Sequence, residues 1–185
     1  MDQNTPQERR QLVVEWNDTA ADYPRERCLH ELIAEQAART PDAQAVICGD
    51  QRITYAELDE RSNRLARWMT GRGIGVDHVV GLAVGRTVDR LVGQWALAKL
   101  GAAYLSVDPT LPADRIAHMI TDSGVRLVIT SDRRGPDSGV DVPGEVESID
   151  VHTLSEAVRE VANSATGAFT LTGVIAAIVV VWTGI

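Results

Sequence analysis

Lysine is almost missing from this chain: of its 18 basic residues only Lys99 is a lysine, and the rest are arginines. A phosphate loop of the G-x-x-x-x-G-K-[ST] kind needs a lysine at its end, and Lys99 lies instead inside a helical pattern just before Gly101. That loop is therefore excluded from these 185 residues. Aromatic side chains are equally scarce at four Trp, three Tyr and one Phe, too few for the base-stacking surfaces that hold single-stranded nucleic acid. Positive charge is short as well. A net charge of -8, with no basic block longer than a pair, leaves no face able to neutralise phosphates, and nucleic acid is set aside as a partner.

Cysteine is represented only by Cys28 and Cys48, without C-x-x-C spacing, and no basic-then-apolar segment opens the chain. A reducing cytoplasm is the expected compartment, with both thiols buried. Cys28-x-His30 resembles half of a metal site, but no second pair completes it. No G-x-S-x-G elbow, H-E-x-x-H pair or calcium loop is present, and His30, His78, His118 and His152 fall on separate predicted elements. Acidic pairs such as Asp59-Glu60 read as solvated helix faces.

What remains is the composition of a globular domain, 44% hydrophobic and 24% charged. Residues 1–27, polar and broken by Pro6 and Pro24, read as a leader or linker. Leu29, Leu32, Ile33 and Ala37 then mark a helical face ending at Thr40-Pro41. A short strand Ala45–Cys48 meets the Gly49-Asp50 turn, and Thr54 with Glu57 forms a capping box that starts a helix expected to stop at Gly71. From there strands and helices alternate: strands over Val79–Val84, Ala103–Val107 and Val125–Thr130, helices over Val88–Leu100 and Pro112–Ser123. Continuously apolar strands separated by helix-length connections predict an α/β fold, a mainly parallel sheet covered on both faces. Gly101 and Gly124 stand where helix C-caps belong.

Gly71-Arg72-Gly73-Ile74-Gly75 has the wrong order for a dinucleotide fingerprint, because it follows a helix and precedes a strand. Gly85-Arg86-Thr87 does lie between a strand and a helix N-terminus, and is read as a helix cap. A second capping box, Thr153 to Glu156, predicts a helix to about Ala162. Residues 163–185 form an uncharged, largely apolar tail that reaches the lower length for crossing a bilayer, so a membrane contact is expected only there. The same charge-free, β-branched run predicts self-association unless it pairs into the sheet.

Ile53-Thr54-Tyr55-Ala56-Glu57-Leu58 resembles the first core motif of nonribosomal peptide synthetase adenylation domains, L-T-Y-x-E-L. The run Lys99-Leu100-Gly101-Ala102-Ala103-Tyr104-Leu105-Ser106-Val107-Asp108-Pro109 is similar to the second, K-A-G-x-A-Y-L-P-x-D-P, and Leu111 to Ile116 to its continuation. Asp122-Ser123-Gly124, Val128-Ile129-Thr130, and upstream Trp16 to Thr19, His30 to Gln36 and Arg39 to Asp42 keep the same register, so the resemblance covers about residues 12–130. Leu100 and Ser106 depart from it, Ser106 replacing a proline, changes expected to alter packing and strand exit more than chemistry.

The resemblance implies that residues 28–162 are part of the N-terminal subdomain of an adenylate-forming enzyme. The family activates an amino or aryl acid with ATP and Mg²⁺ and passes the acyl adenylate to a phosphopantetheinyl carrier protein. Its third motif, a Thr-Ser-Gly-rich loop ending in Lys-Gly, has no counterpart after residue 160, so the chain is expected to be a truncated, inactive piece that binds no cofactor by itself. No residue is assigned a catalytic, cofactor-binding or metal-binding role. Arg86 and Arg115 are the polar residues to follow, with a surface or salt-bridge role expected, and Lys99 is expected to face a helix dipole rather than a substrate.

Overall fold

A computed structural model describes residues 5–130, 140, 142–151, 153, 154 and 158. Helix α1 (Pro6–Arg10) runs into a π-helical turn at Gln11–Glu15, and none of these residues is buried. Helix α2 (Leu29–Arg39) buries only Ala37, and Leu29, expected on its inner face, is 58% exposed. Strands β1 (Gln44–Cys48) and β2 (Gln51–Thr54) form an antiparallel hairpin closed by Gly49-Asp50, with Gly49 at φ +58. Thr54 caps helix α3 (Tyr55–Thr70): its hydroxyl accepts from Glu57 N at 3.2 Å, and Glu57 Oε2 accepts from Thr54 N at 2.7 Å.

The remaining strands, β3 (Val79–Ala83), β4 (Ala103–Ser106), β5 (Leu127–Thr130) and β6 (Glu147–Asp150), make one parallel sheet in the order β4-β3-β5-β6. Helix α4 (Val88–Leu100) joins β3 to β4, and helix α5 (Ala113–Asp122) crosses back from β4 to β5. Because strands are pleated, β3 and β5 send alternate side chains to opposite faces. Val80, Leu82, Leu127 and Ile129 pack with α3 and α4 through Leu65, Met69, Leu97 and Leu100. Ala83 and Val128 pack with α5 through Ile116 and Ile120. Each face is therefore covered by helices, as the apolar strands require.

Two glycines answer specific steric demands. A Cβ on Gly81 would stand 3.0 Å from Val128 Cγ2 across the β3–β5 pair, so the central strand needs the empty position. Gly101 takes φ +68 and closes α4 with a paired motif, its N–H bonding Ala98 O and the next N–H bonding Leu97 O. The same paired bonds follow α5 at Gly124 and α3 at Gly73. Helix α3 ends at Thr70 with Gly71 as its C-cap, as the sequence predicts; Gly71 is right-handed at φ -61, and the chain turns at the left-handed Gly73. The last helix is shifted. Val151 is already helical, and Asp150, not Thr153, supplies the cap by accepting from Thr153 N at 2.9 Å. The uncharged tail lies outside the described residues, among which no helix is long and apolar enough to cross a membrane.

Candidate functional site: the carboxyl rim of the sheet

Strand order reverses between β3 and β5, since the chain leaves β3 toward β4 and leaves β5 toward β6. In open parallel sheets ligands collect outside the carboxyl ends at such a reversal. On the β3 side that rim is the loop Val84–Thr87, and on the β5 side it begins at the buried Thr130. Arg86 is exposed on the loop, and its carbonyl accepts from Cys48 Sγ at 2.8 Å, fastening the hairpin to the rim. Arg90, in the first turn of α4, donates to Val84 O at 3.3 Å and to Ser106 Oγ at 2.7 Å. Thr110 donates to Asp108 Oδ1 through its N–H at 2.9 Å and its hydroxyl at 2.8 Å, holding the exposed carboxyl below its ordinary pKa. Arg115, near the start of α5, is exposed.

The side chains of Arg86 and Arg115 are exposed, so neither makes the buried salt bridge that was one expectation for them. Thr87 stands at the cap position of α4 yet makes no capping bond, and its Oγ1 is buried without a partner. Among the described residues no cluster of His, Cys, Asp or Glu could hold a metal. Among the described residues, two cationic side chains without an acidic cluster do not fit Mg·ATP. Both thiols, expected to be buried, are half-buried instead. His78 accepts from Gly75 N at 3.1 Å, and His118 is exposed on α5, so among the described residues the histidines gather into no metal site.

A polar cluster that no local spacing announces lies at the far end of α4 from the rim. Lys99 Nζ, on a side chain only 9% exposed, donates to Asp59 Oδ1 (2.7 Å), Asp59 O (3.2 Å), Ser62 Oγ (2.8 Å) and Asn63 Oδ1 (2.7 Å). Asp59 is accordingly no solvated carboxylate, whereas its neighbour Glu60 pairs with Arg64 along the helix. Burial pulls the Lys99 pKa below the ordinary lysine value, outweighing the opposite pull of Asp59. The cluster joins α3, which begins in the first sequence motif, to α4, whose end begins the second. Arg61 with Asp89 adds another α3–α4 pair. Beside it a cavity of about 280 Å³ opens between these helices and the sheet, walled by Leu65, Leu82, Val92, Ile129 and Leu154.

His30 yields a pH prediction. Its half-buried ring has a pKa lowered mainly by burial, which outweighs the rise from Glu31, with Lys99 adding a still smaller lowering. The unfolded chain therefore binds this proton more readily below pH 6.5, so stability should fall as pH drops from 6.5 toward the lowered value. Melting of the parent and His30→Gln from pH 7.5 to 5.5 checks this. The parent is expected to lose more; parallel curves would remove His30 from the account.

Comparison with known proteins agrees with this geometry. The family model for AMP-binding enzymes matches residues 33–172. Tyrocidine synthase 2 of Brevibacillus parabrevis is 43% identical over 149 residues, 80% of this chain and 4% of that protein. Gramicidin S synthase 2 of Brevibacillus brevis is 44% identical over 124 residues, 67% and 3% respectively. The chain thus spans only a few per cent of the curated relatives' length. Among solved structures, the nonribosomal peptide synthetase FmoA3 (S1046A) in its AMPPNP-bound form superposes with a TM-score of 0.71 at 27% identity, covering 82% of this chain and 16% of that one. The N-terminal domain of Mycobacterium tuberculosis FACL13 gives 0.69 at 26%, covering 77% and 38%. With its two motifs joined through Lys99 and its sheet ordered as described, this chain belongs to the AMP-binding enzyme family, as an N-terminal portion of a nonribosomal peptide synthetase adenylation domain.

Proposed function

We propose that this chain is scaffold rather than catalyst: it supplies the opening strands and helices of an adenylation subdomain, with cytoplasmic residence and the boundaries 28–162. The single observation that carries this reading is the Lys99 cluster. The one lysine present is consumed in joining two helices, which leaves no ammonium to meet a phosphate. In the complete domain, ATP with Mg²⁺ would activate an amino or aryl acid, and a carrier-protein thiol would receive it. Among the structures of similar fold is an artificially fused adenylation–carrier di-domain from Klebsiella oxytoca, in keeping with that partner. Adenylation depends on orienting phosphates and neutralising developing charge, and the described residues offer no set of groups for either. The purified 185-residue chain is therefore expected to give only background amino-acid-dependent ATP–pyrophosphate exchange. Exchange above background with any amino acid would overturn the scaffold reading.

A further inference from the structure

Ser106 stands where the resembling motif carries proline, and the structure shows what has taken the proline's place. Ala103 N bonds His78 O at 2.9 Å and Val107 N bonds Leu82 O at 3.1 Å, so odd-numbered N–H groups of β4 point to β3. By the alternation of a strand, the Ser106 N–H points away from the sheet. Proline costs no ladder bond at such an edge position, and it would stiffen the strand exit by fixing φ. Serine gives up that restraint. In exchange its Oγ accepts from Arg90 Nη2 at 2.7 Å, while Arg90 Nη1 reaches Val84 O at 3.3 Å.

We infer that Arg90 and Ser106 form a clasp that holds the carboxyl ends of β3 and β4 together and fixes the rim loop Val84–Thr87, making both positioning residues. One guanidinium donates to both strand ends, and its planar fork suits that better than a lysine point charge. The loop so held has a second fastening at its middle, where Arg86 O accepts from Cys48 Sγ at 2.8 Å, and Thr87 N donates to Gly85 O at 2.8 Å. With the clasp released, the loop keeps the Cys48 contact at its middle and the buried Val84 side chain at its start. That the rim so ordered borders the adenylation site rests on the proposed function, whereas the clasp itself is measurable without any activity.

Cys48 reports the loop directly, and Cys28 is an internal control in the same chain. Alkylation of the two thiols is followed by mass spectrometry, with hydrogen exchange at the Thr87 amide, in the full chain and in Arg90→Met, Ser106→Ala, Ser106→Thr and Arg90→Met/Ser106→Ala. Methionine keeps the aliphatic stem of Arg90, and Ser106 is exposed, so each variant retains the sheet. Loss of one charge-assisted hydrogen bond in S106A, and of that bond with the one to Val84 O in R90M, predicts that Cys48 alkylation and Thr87 exchange rise about tenfold in S106A and at least as much in R90M, with Cys28 and overall melting unchanged. S106T should keep the parent rates, and the double variant should be no faster than R90M. Unchanged rates in both single variants, failure of S106T to hold them, or multiplication of the two effects in the double variant would each overturn the clasp. Should R90M or S106A also lower the melting temperature, S106T and the Cys48-to-Cys28 ratio still decide: the ratio rises for a local release and stays constant for general loosening, which overturns the inference.

Discussion

Replacing Lys99 by methionine is expected to destabilise the fold by about 3 kcal/mol, the lower end of the range for breaking a buried ion pair. The lower end applies because the Asp59 side chain keeps 29% of its exposure and can recover water, whereas Ser62 and Asn63 are 1% and 9% exposed. Asn63 Oδ1 is the group most damaged, since its bond to Lys99 has no evident substitute. Ser62 Oγ still donates to Asp59 O at 3.0 Å, and Asn63 Nδ2 still reaches Asp59 Oδ2 at 2.9 Å. Arginine is expected to rescue only part of the loss, because its planar fork does not reproduce the compact cage around an ammonium. Urea unfolding measures both variants. A loss under about 1 kcal/mol in K99M, the size of an ordinary surface pair, would show that the cluster contributes little to the fold.

The consequence reaches beyond stability. Helix α4 carries Lys99 in its last turn and Arg90 in its first, so a helix anchored on α3 at one end presents the rim loop at the other. A change confined to the Lys99 cage would then loosen both sequence motifs together, although they lie about forty residues apart in the chain.

Much of this architecture was legible because local and global preferences coincide. The runs Val79–Ala83 and Leu127 to Ile129 are apolar throughout, which only a sheet covered on both faces accommodates. Thr54 and Glu57 announced their capping box by spacing alone. Failures occurred where two local solutions compete. Asp150 and Thr153 both offer a cap, and the carboxylate won by accepting from the Thr153 N–H and hydroxyl. Strand β2 escaped notice because Gln51 and Arg52 are polar and exposed, its pairing being imposed by the turn.

The site was less legible for a different reason. Lys99 was placed correctly in the last turn of a helix, but nothing in its neighbourhood predicts partners 36 to 40 residues earlier. Asp59 looked like any charged helix residue for the same reason. Arg90 drew no attention because its acceptors, Val84 O and Ser106 Oγ, are brought to it only by the crossover from β3 to β4. The one available signal was Ser106 itself, a polar residue in place of proline.

The central claim is that these residues are a working piece of an adenylation subdomain, and a chimera measures it most directly. Residues 1–150 of this chain would replace their counterpart in the adenylation domain of tyrocidine synthase 2, which is 43% identical over 149 residues. The account predicts a folded chimera whose ATP–pyrophosphate exchange depends on the same amino acid as the parent domain, because the grafted part supplies scaffold and the parent supplies the phosphate and substrate contacts. The same chimera with Lys99→Met should lose most of that exchange through unfolding near its working temperature. A chimera that folds cooperatively yet exchanges no pyrophosphate above background would contradict the account.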